Sequence, residues 1–311
     1  MPPKVIVITG PTATGKTALG AQVARAVGGE VVSADSMQIY KYMDIGTAKP
    51  TPEEMLGVPH HMIDFADPRE NYSAARYVED AGRVCDGIIA RGKTPVIVGG
   101  TGLYIESLLS GREFAENGDG AVRAAIAERY DREGGDALLT ELSQRDPDTA
   151  RRLHPNDKKR IVRALEILEV TGVPMSEHDR RSKLVPPKYS AVKIALSFKE
   201  RSDLYRRIDL RVDAMMEKGL LSEVENLLRM GIPPECTAMQ AIGYKELVPA
   251  VLSGGSVSQA VEDIKRESRR YAKRQLSWLR RDSTINWILW KNNPNIQYAL
   301  RLSTGFLEKI G

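Results

Sequence analysis

Cysteine is almost missing from this chain. Cys85 and Cys236 are the only two in 311 residues, too few for a disulfide framework or a four-cysteine zinc site, so reduced, buried thiols are expected. Long apolar runs are missing as well, and none approaches the roughly 20 residues of a membrane-spanning helix. A strand-like run opens the chain and leaves no room for a signal or transit peptide, so we expect a cytoplasmic protein without membrane contact. Internal repeats and low-complexity tracts are not visible. Nor is there a large excess of charge: 45 Lys and Arg against 41 Asp and Glu give a net +4. Basic residues nevertheless concentrate between positions 151 and 163 and between 265 and 281, and this placement says more than the total.

What is present suits a globular protein, 42% hydrophobic and 28% charged over a length that allows two domains or one carrying an insertion. Strand-like runs at residues 5–9, 30–34, 60–64, 95–99, 191–198 and 285–290 alternate with helical patterns. That alternation predicts an α/β fold with a parallel sheet flanked by helices. Between about 113 and 188 the strands stop, and AVRAAIAERYDREG, DALLTELSQRD and NDKKRIVRALEILEVTG read as successive helices. We therefore expect a P-loop-type α/β core over residues 1–113 and 190–311, with an all-helical insertion over 114–189.

The first strand carries the strongest motif. VIVITGPTATGKT completes G-x-x-x-x-G-K-[ST] with Gly10, Gly15, Lys16 and Thr17, spanning Pro11, Thr12, Ala13 and Thr14. A strand precedes it and an alanine-rich helix pattern follows, the context a phosphate loop requires. Backbone N–H groups would cradle an anion, Lys16 would add a point charge, and the Thr17 hydroxyl is placed to ligand Mg2+. Alone, the motif suggests an ATP-using enzyme and leaves the phosphate compound open.

In an open parallel sheet the ligand lies beyond the carboxyl ends of the strands. Asp35 follows the run EVVSA there, as a proton acceptor or metal-side carboxylate, or simply as a helix cap. The run TPVIVGG ends in Gly99, Gly100 and Thr101 with no acid of the kind that nucleotide hydrolases and kinases use for their metal. Thr101 offers a hydroxyl to a substrate or caps a helix. A dinucleotide-binding reading fails, because Ile105 stands where a third glycine is required. His60 and His61 are adjacent on a strand and point to opposite faces, so we expect a structural role rather than a shared metal.

Two basic helical stretches complete the pattern. In HPNDKKRIVRALEILEV, Asn156 or Asp157 is a plausible cap, Ile161, Leu165 and Leu168 form an apolar stripe, and Lys159, Arg160 and Arg163 gather on another face. In DIKRESRRYAKRQLSWLRRD, Ile264, Tyr271 and Trp278 form an expected buried seam among eight basic residues, which one acid, Glu267, interrupts. A solvated face explains either stretch singly; two of them beside a phosphate loop point to nucleic acid.

Taken in order, GPTATGKT, DSMQIY, MDIGTAKP, HHMID, VGGTGLYI, HPNDKKRIVRALE and RYAKRQLSWLRR resemble the tRNA dimethylallyltransferase family over nearly the full chain. The resemblance implies transfer of a dimethylallyl group from its diphosphate to the exocyclic amine of the adenosine 3′ of the anticodon. The loop would then hold a leaving group, and no phosphoryl group moves. It further implies Asp35 as general base, Thr101 beside the transferred group and target nucleotide, and Mg2+ as cofactor. Arg211 resembles a family arginine that reaches the diphosphate; a surface salt bridge is the other reading. Contact with the tRNA anticodon stem-loop is implied for Asp35, Ser36, Met37 and Gln38, for Arg123, and for Lys159, Arg160, Ile161, Val162 and Arg163. The family often has glutamine where Lys159 stands; lysine adds charge and loses an amide.

Three other functions share parts of this pattern. An isopentenyltransferase acting on free AMP or ADP would need no extended basic arm. A small-molecule kinase would be expected to carry the missing strand-end acid, and a non-catalytic RNA-binding protein would not need Lys16, Thr17 and Asp35. One basic surface can hold one stem-loop, so a monomer is expected.

Overall fold

The structure, a computed structural model, describes residues 2–308 except 112–113 and 115–119. The described chain forms two compact units, one built from the segments up to Leu109 and from Lys188 onward, the other spanning Ser110–Pro187. The expected boundary at 113/114 falls at residue 113, outside the described residues.

The first unit is a six-stranded sheet in the order β3-β2-β4-β1-β5-β6. Its strands are β1 (Lys4–Thr9), β2 (Glu30–Ser33), β3 (His60–His61), β4 (Pro95–Val98), β5 (Ser190–Phe198) and β6 (Asn286–Trp290). All pairings are parallel, with Ile6 opposite both Val96 and Val192. Near-continuous apolar runs such as VIVI and PVIV form these strands because helices bury both faces. Val5 and Val7 pack on one face with α2 (Ala74–Ala90), α3 (Gly102–Ser110) and α10 (Leu220–Arg229). Ile6 and Ile8 pack on the other with α1 (Lys16–Ala26) and α13 (Ile296–Glu308). The remaining helices of this unit are α9 (Arg201–Glu217), α11 (Val248–Ser253) and α12 (Val257–Leu279).

Two expectations need correction here. The strand expected over residues 60–64 ends at His61, because Met62 and Asp64 take left-handed backbone angles, φ 61° and 58°, which turn the chain out of the sheet. On α12 the buried positions are Ala260, Ile264, Ala272, Gln275 and Leu279, while Tyr271 and Trp278 are only partly buried.

The second unit is all-helical: α4 (Ala121–Glu133), α5 (Gly135–Arg145), α6 (Pro147–Ala150), α7 (Lys158–Thr171) and α8 (Met175–Leu184). Ile126, Leu138, Leu142, Ile161 and Leu165 form its core. Asp157 is the residue at the N-cap of α7, but its carboxylate accepts the N–H of His154 and caps no helical N–H.

Candidate active site

The phosphate loop follows directly from β1. Gly10 and Gly15 sit at φ 141° and 89° and Ala13 at 65°, a succession of unusual angles that turns backbone N–H groups inward. Lys16 Nζ and Thr14 Oγ1 both donate to Pro11 O at 2.8 Å. Trp290, at the end of β6, donates its indole N–H to Thr14 O at 3.0 Å, so a distant strand braces the loop.

At the same sheet edge lies a cavity of about 370 Å3 whose lining includes Thr12, Lys16, Thr17, Asp35, Ser36, Met37, Gln38 and Arg211. Gly10, Pro11, Ala13, Thr14 and Gly15 shape the loop behind it. Arg211 lines the cavity and forms no ion pair with a carboxylate among the described residues. Burial lowers its pKa, against the pull of Asp35. Burial first, and the Arg211 charge second, bring the Lys16 ammonium down to about 7, with Asp35 opposing. Two cations and one carboxylate therefore share a confined space, the condition under which electrostatics acts most strongly.

Asp35 heads a turn, not a helix, and its Oδ1 accepts the Met37 N–H at 2.9 Å. Thr101 Oγ1 accepts the Ser36 N–H at 3.1 Å, tying the loop after β4 to the one after β2. Thr101 is not among the described residues that line the cavity. Gln38 is likewise engaged: its Nε2 donates to Ala48 O at 3.1 Å and its Oε1 accepts from Ser33 at 3.2 Å. A free edge-reading amide at Gln38 is therefore not what the structure shows.

Residues that the sequence did not assign to the site complete the wall. Gln240, Ala241, Ile242, Gly243 and Lys245 and, from α12, Ser268, Tyr271, Arg274 and Gln275 line the cavity. Arg274 stood out in sequence only as one of many basic residues. Glu223 of α10 accepts the N–H groups of Asp44, Ile45 and Gly46 at 2.9, 2.8 and 3.1 Å. It thereby fixes the MDIGTAKP loop, which adds Gly46, Thr47 and Ala48 to the lining. His60 and His61 bond to Val58 O and Glu30 Oε2 at 2.8 and 2.7 Å, and no cluster of metal-ligating residues occurs among the described residues.

The basic helices are less uniformly charged than their sequences. On α12, Lys265 pairs with Asp213, Arg266 with Asp263, Arg269 with Asp209 and Arg270 with Glu267. Lys273, Arg274, Arg280 and Arg281 form no ion pair among the described residues. On α7, Lys159 and Arg160 are exposed, whereas Ile161 and Val162 are 0% and 5% exposed in the helical core. Their side chains are thus corrected from RNA contacts to packing. Arg163 and Arg123 both donate to the buried Glu166.

A parallel sheet with a phosphate loop at its edge, a carboxylate facing that loop and no acid after β4 defines a P-loop-type protein that departs from the nucleotide hydrolases. Residues 38–282 match the family model described as IPP transferase, and residues 3–67 match that described as isopentenyl transferase. The tRNA dimethylallyltransferase of Desulforudis audaxviator is 50% identical over 93% of this chain and 92% of its own. That of Geobacter sulfurreducens is 48% identical over 93% of each. Among solved structures, the tRNA delta(2)-isopentenylpyrophosphate transferase of Staphylococcus epidermidis has a TM-score of 0.73 at 39% identity, covering 99% of this chain and 100% of its own. A eukaryotic dimethylallyltransferase acting on tRNA has a TM-score of 0.83 at 32% identity, covering 99% and 80%. This chain belongs to the tRNA dimethylallyltransferase family.

Proposed function

We propose that this enzyme transfers the dimethylallyl group of dimethylallyl diphosphate to the exocyclic amine of the adenosine 3′ of the anticodon in tRNA. The carrying observation is the convergence of Lys16, Arg211 and Asp35 on one cavity at a strand edge that lacks the hydrolase acid. The amine nitrogen bonds to the allylic carbon as the carbon–oxygen bond to diphosphate breaks. The bonding pair leaves with the diphosphate, where Lys16 and Arg211 offset the growing negative charge. The amine proton passes to Asp35, which compensates for a nucleophile weakened by delocalisation into the ring. Ile208, Val212 and Met215 of α9 and Ile264 of α12 give the cavity an apolar side suited to the five-carbon group.

Mg2+ is the proposed cofactor. The Thr17 hydroxyl lines the cavity at the start of α1, an oxygen donor of the kind Mg2+ takes alongside water and substrate oxygens. Bound there, the ion would supply further charge neutralisation on the diphosphate.

A stacked anticodon-loop base must be flipped to reach such a cavity. Asp35, Ser36 and Met37 stand where the base would enter, with Thr101 and Gln38 holding their turn. Arg123, Lys159, Arg160 and Arg163 suit the phosphates of the stem, which fix register without reading sequence. One chain carries the phosphate loop, the proton acceptor and the basic arm, so we read the enzyme as a cytoplasmic monomer.

The test is to supply labelled dimethylallyl diphosphate and Mg2+ with undermodified tRNA or with AMP. Label in tRNA and none in AMP is expected. Label only in AMP, or in neither, overturns the proposal.

A further inference from the structure

The peptide bond joining Pro11 and Thr12 is occupied at both ends. Its N–H, on Thr12, donates to Gln275 Oε1 at 3.1 Å. Its C=O, on Pro11, accepts Lys16 Nζ and Thr14 Oγ1, each at 2.8 Å. No peptide bond among the described residues is cis, and across a trans peptide the N–H and C=O point in opposite directions. Fixing one end therefore aims the other. Gln275 is itself fixed, because its Nε2 donates to Gly100 O at 2.9 Å and the residue is only 8% exposed. A Cβ on Gly100 would lie 2.3 Å from that Nε2, so position 100 has no room for a side chain while Gln275 is seated.

We propose that Gln275 is a positioning residue that sets, through the Pro11–Thr12 peptide, where the Lys16 ammonium stands to receive the diphosphate. The inference rests on the reading of the loop as a grip on a diphosphate leaving group. A lysine side chain is long and rich in rotamers, and an acceptor of fixed direction removes much of that freedom before the anion arrives. The ammonium has three donors, so one bond to Pro11 O leaves two for the ligand. The same Gln275 amide reaches Gly100, next to Thr101, whose hydroxyl holds Ser36 beside Asp35. One side chain thus joins the leaving-group side of the cavity to the proton-accepting side.

Binding of inorganic diphosphate with Mg2+, measured by titration calorimetry, tests this on the full chain and on Gln275→Met, Lys16→Ala and the double variant. Gln275→Met should weaken binding about tenfold, the scale of one buried hydrogen bond. In the Lys16→Ala background it should cost nothing further, because Gln275 acts through Lys16. In turnover, the KM for dimethylallyl diphosphate should rise in Gln275→Met while the KM for tRNA stays unchanged. Gly100→Ala, which displaces the Gln275 amide without altering α12, should show the same selective loss even if Gln275→Met does not fold. Wild-type diphosphate affinity in Gly100→Ala or Gln275→Met overturns the proposal, as does an equal loss in both backgrounds. Unchanged binding in Lys16→Ala itself would instead remove the reading of the loop, and this inference with it.

Discussion

Arg123 on α4 donates its Nε proton at 2.8 Å to Glu166 on α7, a carboxylate only 2% exposed. The same oxygen accepts Arg163 Nη1 at 2.9 Å. Two guanidinium groups are therefore held side by side on a surface that we assign to RNA. Replacing that carboxylate by an amide gives up two charge-assisted hydrogen bonds and leaves two cations side by side. Glu166→Gln should destabilise the protein by about 2 kcal/mol, discounting the buried-pair range because both arginines reach solvent. It should also raise the KM for tRNA several-fold with the KM for dimethylallyl diphosphate unchanged. Equal shifts in both KM values would count against a role confined to tRNA.

Asp35 has two jobs that one substitution can separate. Its Oδ1 accepts the Met37 N–H, so Asp35→Ala would remove both the proton acceptor and the turn. Asp35→Asn keeps an oxygen for the turn and loses the basicity. Single-turnover rates should fall by about 10² or more in Asp35→Asn, with the Kd for tRNA nearly unchanged. A variant that binds tRNA poorly but transfers the group at the normal rate would contradict the assignment.

Lys159 and Arg160 are exposed on α7 and form no ion pair among the described residues. Removing a cation that neutralises one phosphate should reduce the slope of log K against log salt by roughly one. Filter-binding of tRNA across a salt series should therefore give a flatter line for Lys159→Ala with Arg160→Ala. An unchanged slope would return this face to simple solvation.

Glu30 supplies a pH test of the sheet. Hydrogen bonding from the Lys93 ammonium foremost, then from His61 and Arg91, lowers its pKa from 4.5 to about 2 despite opposing burial. The folded state thus favours the carboxylate, so its stabilisation is complete above pH 4.5 and is lost as pH falls through about 2. Arg91 and Lys93 are partly exposed, so we expect Glu30→Gln to cost about 2 kcal/mol at neutral pH. Denaturant midpoints of the two proteins should converge as pH drops below 4.5. A gap that stays constant down to about pH 3 would rule out this linkage.

The parts of the fold legible in sequence were those with local causes. Apolar runs of strand length revealed five of the six strands, because both faces of the sheet are covered there. The loop from Gly10 to Thr17 was legible because its function lies in the backbone, which glycine spacing reports. Strand β3 was overextended because left-handed angles at Met62 and Asp64 leave no mark in an apolar pattern.

Long-range partners were not legible. Gln275 lies 263 positions from Thr12 and 175 from Gly100, and in sequence it is one polar residue in a basic helix. Arg269 reads as free charge until folding brings Asp209, 60 positions away, against it.

By itself the sequence determined an α/β chain with a phosphate loop, an acid-free strand end and a family. Tertiary structure alone decided that Arg211 lines the cavity, that four of the eight basic residues between positions 265 and 281 are paired with carboxylates, and that Gln275 holds the loop. Periodicity and motif spacing are written in neighbouring residues, whereas hydrogen bonds and charge pairs depend on which distant side chains the packed helices bring within about 3 to 4 Å of one another.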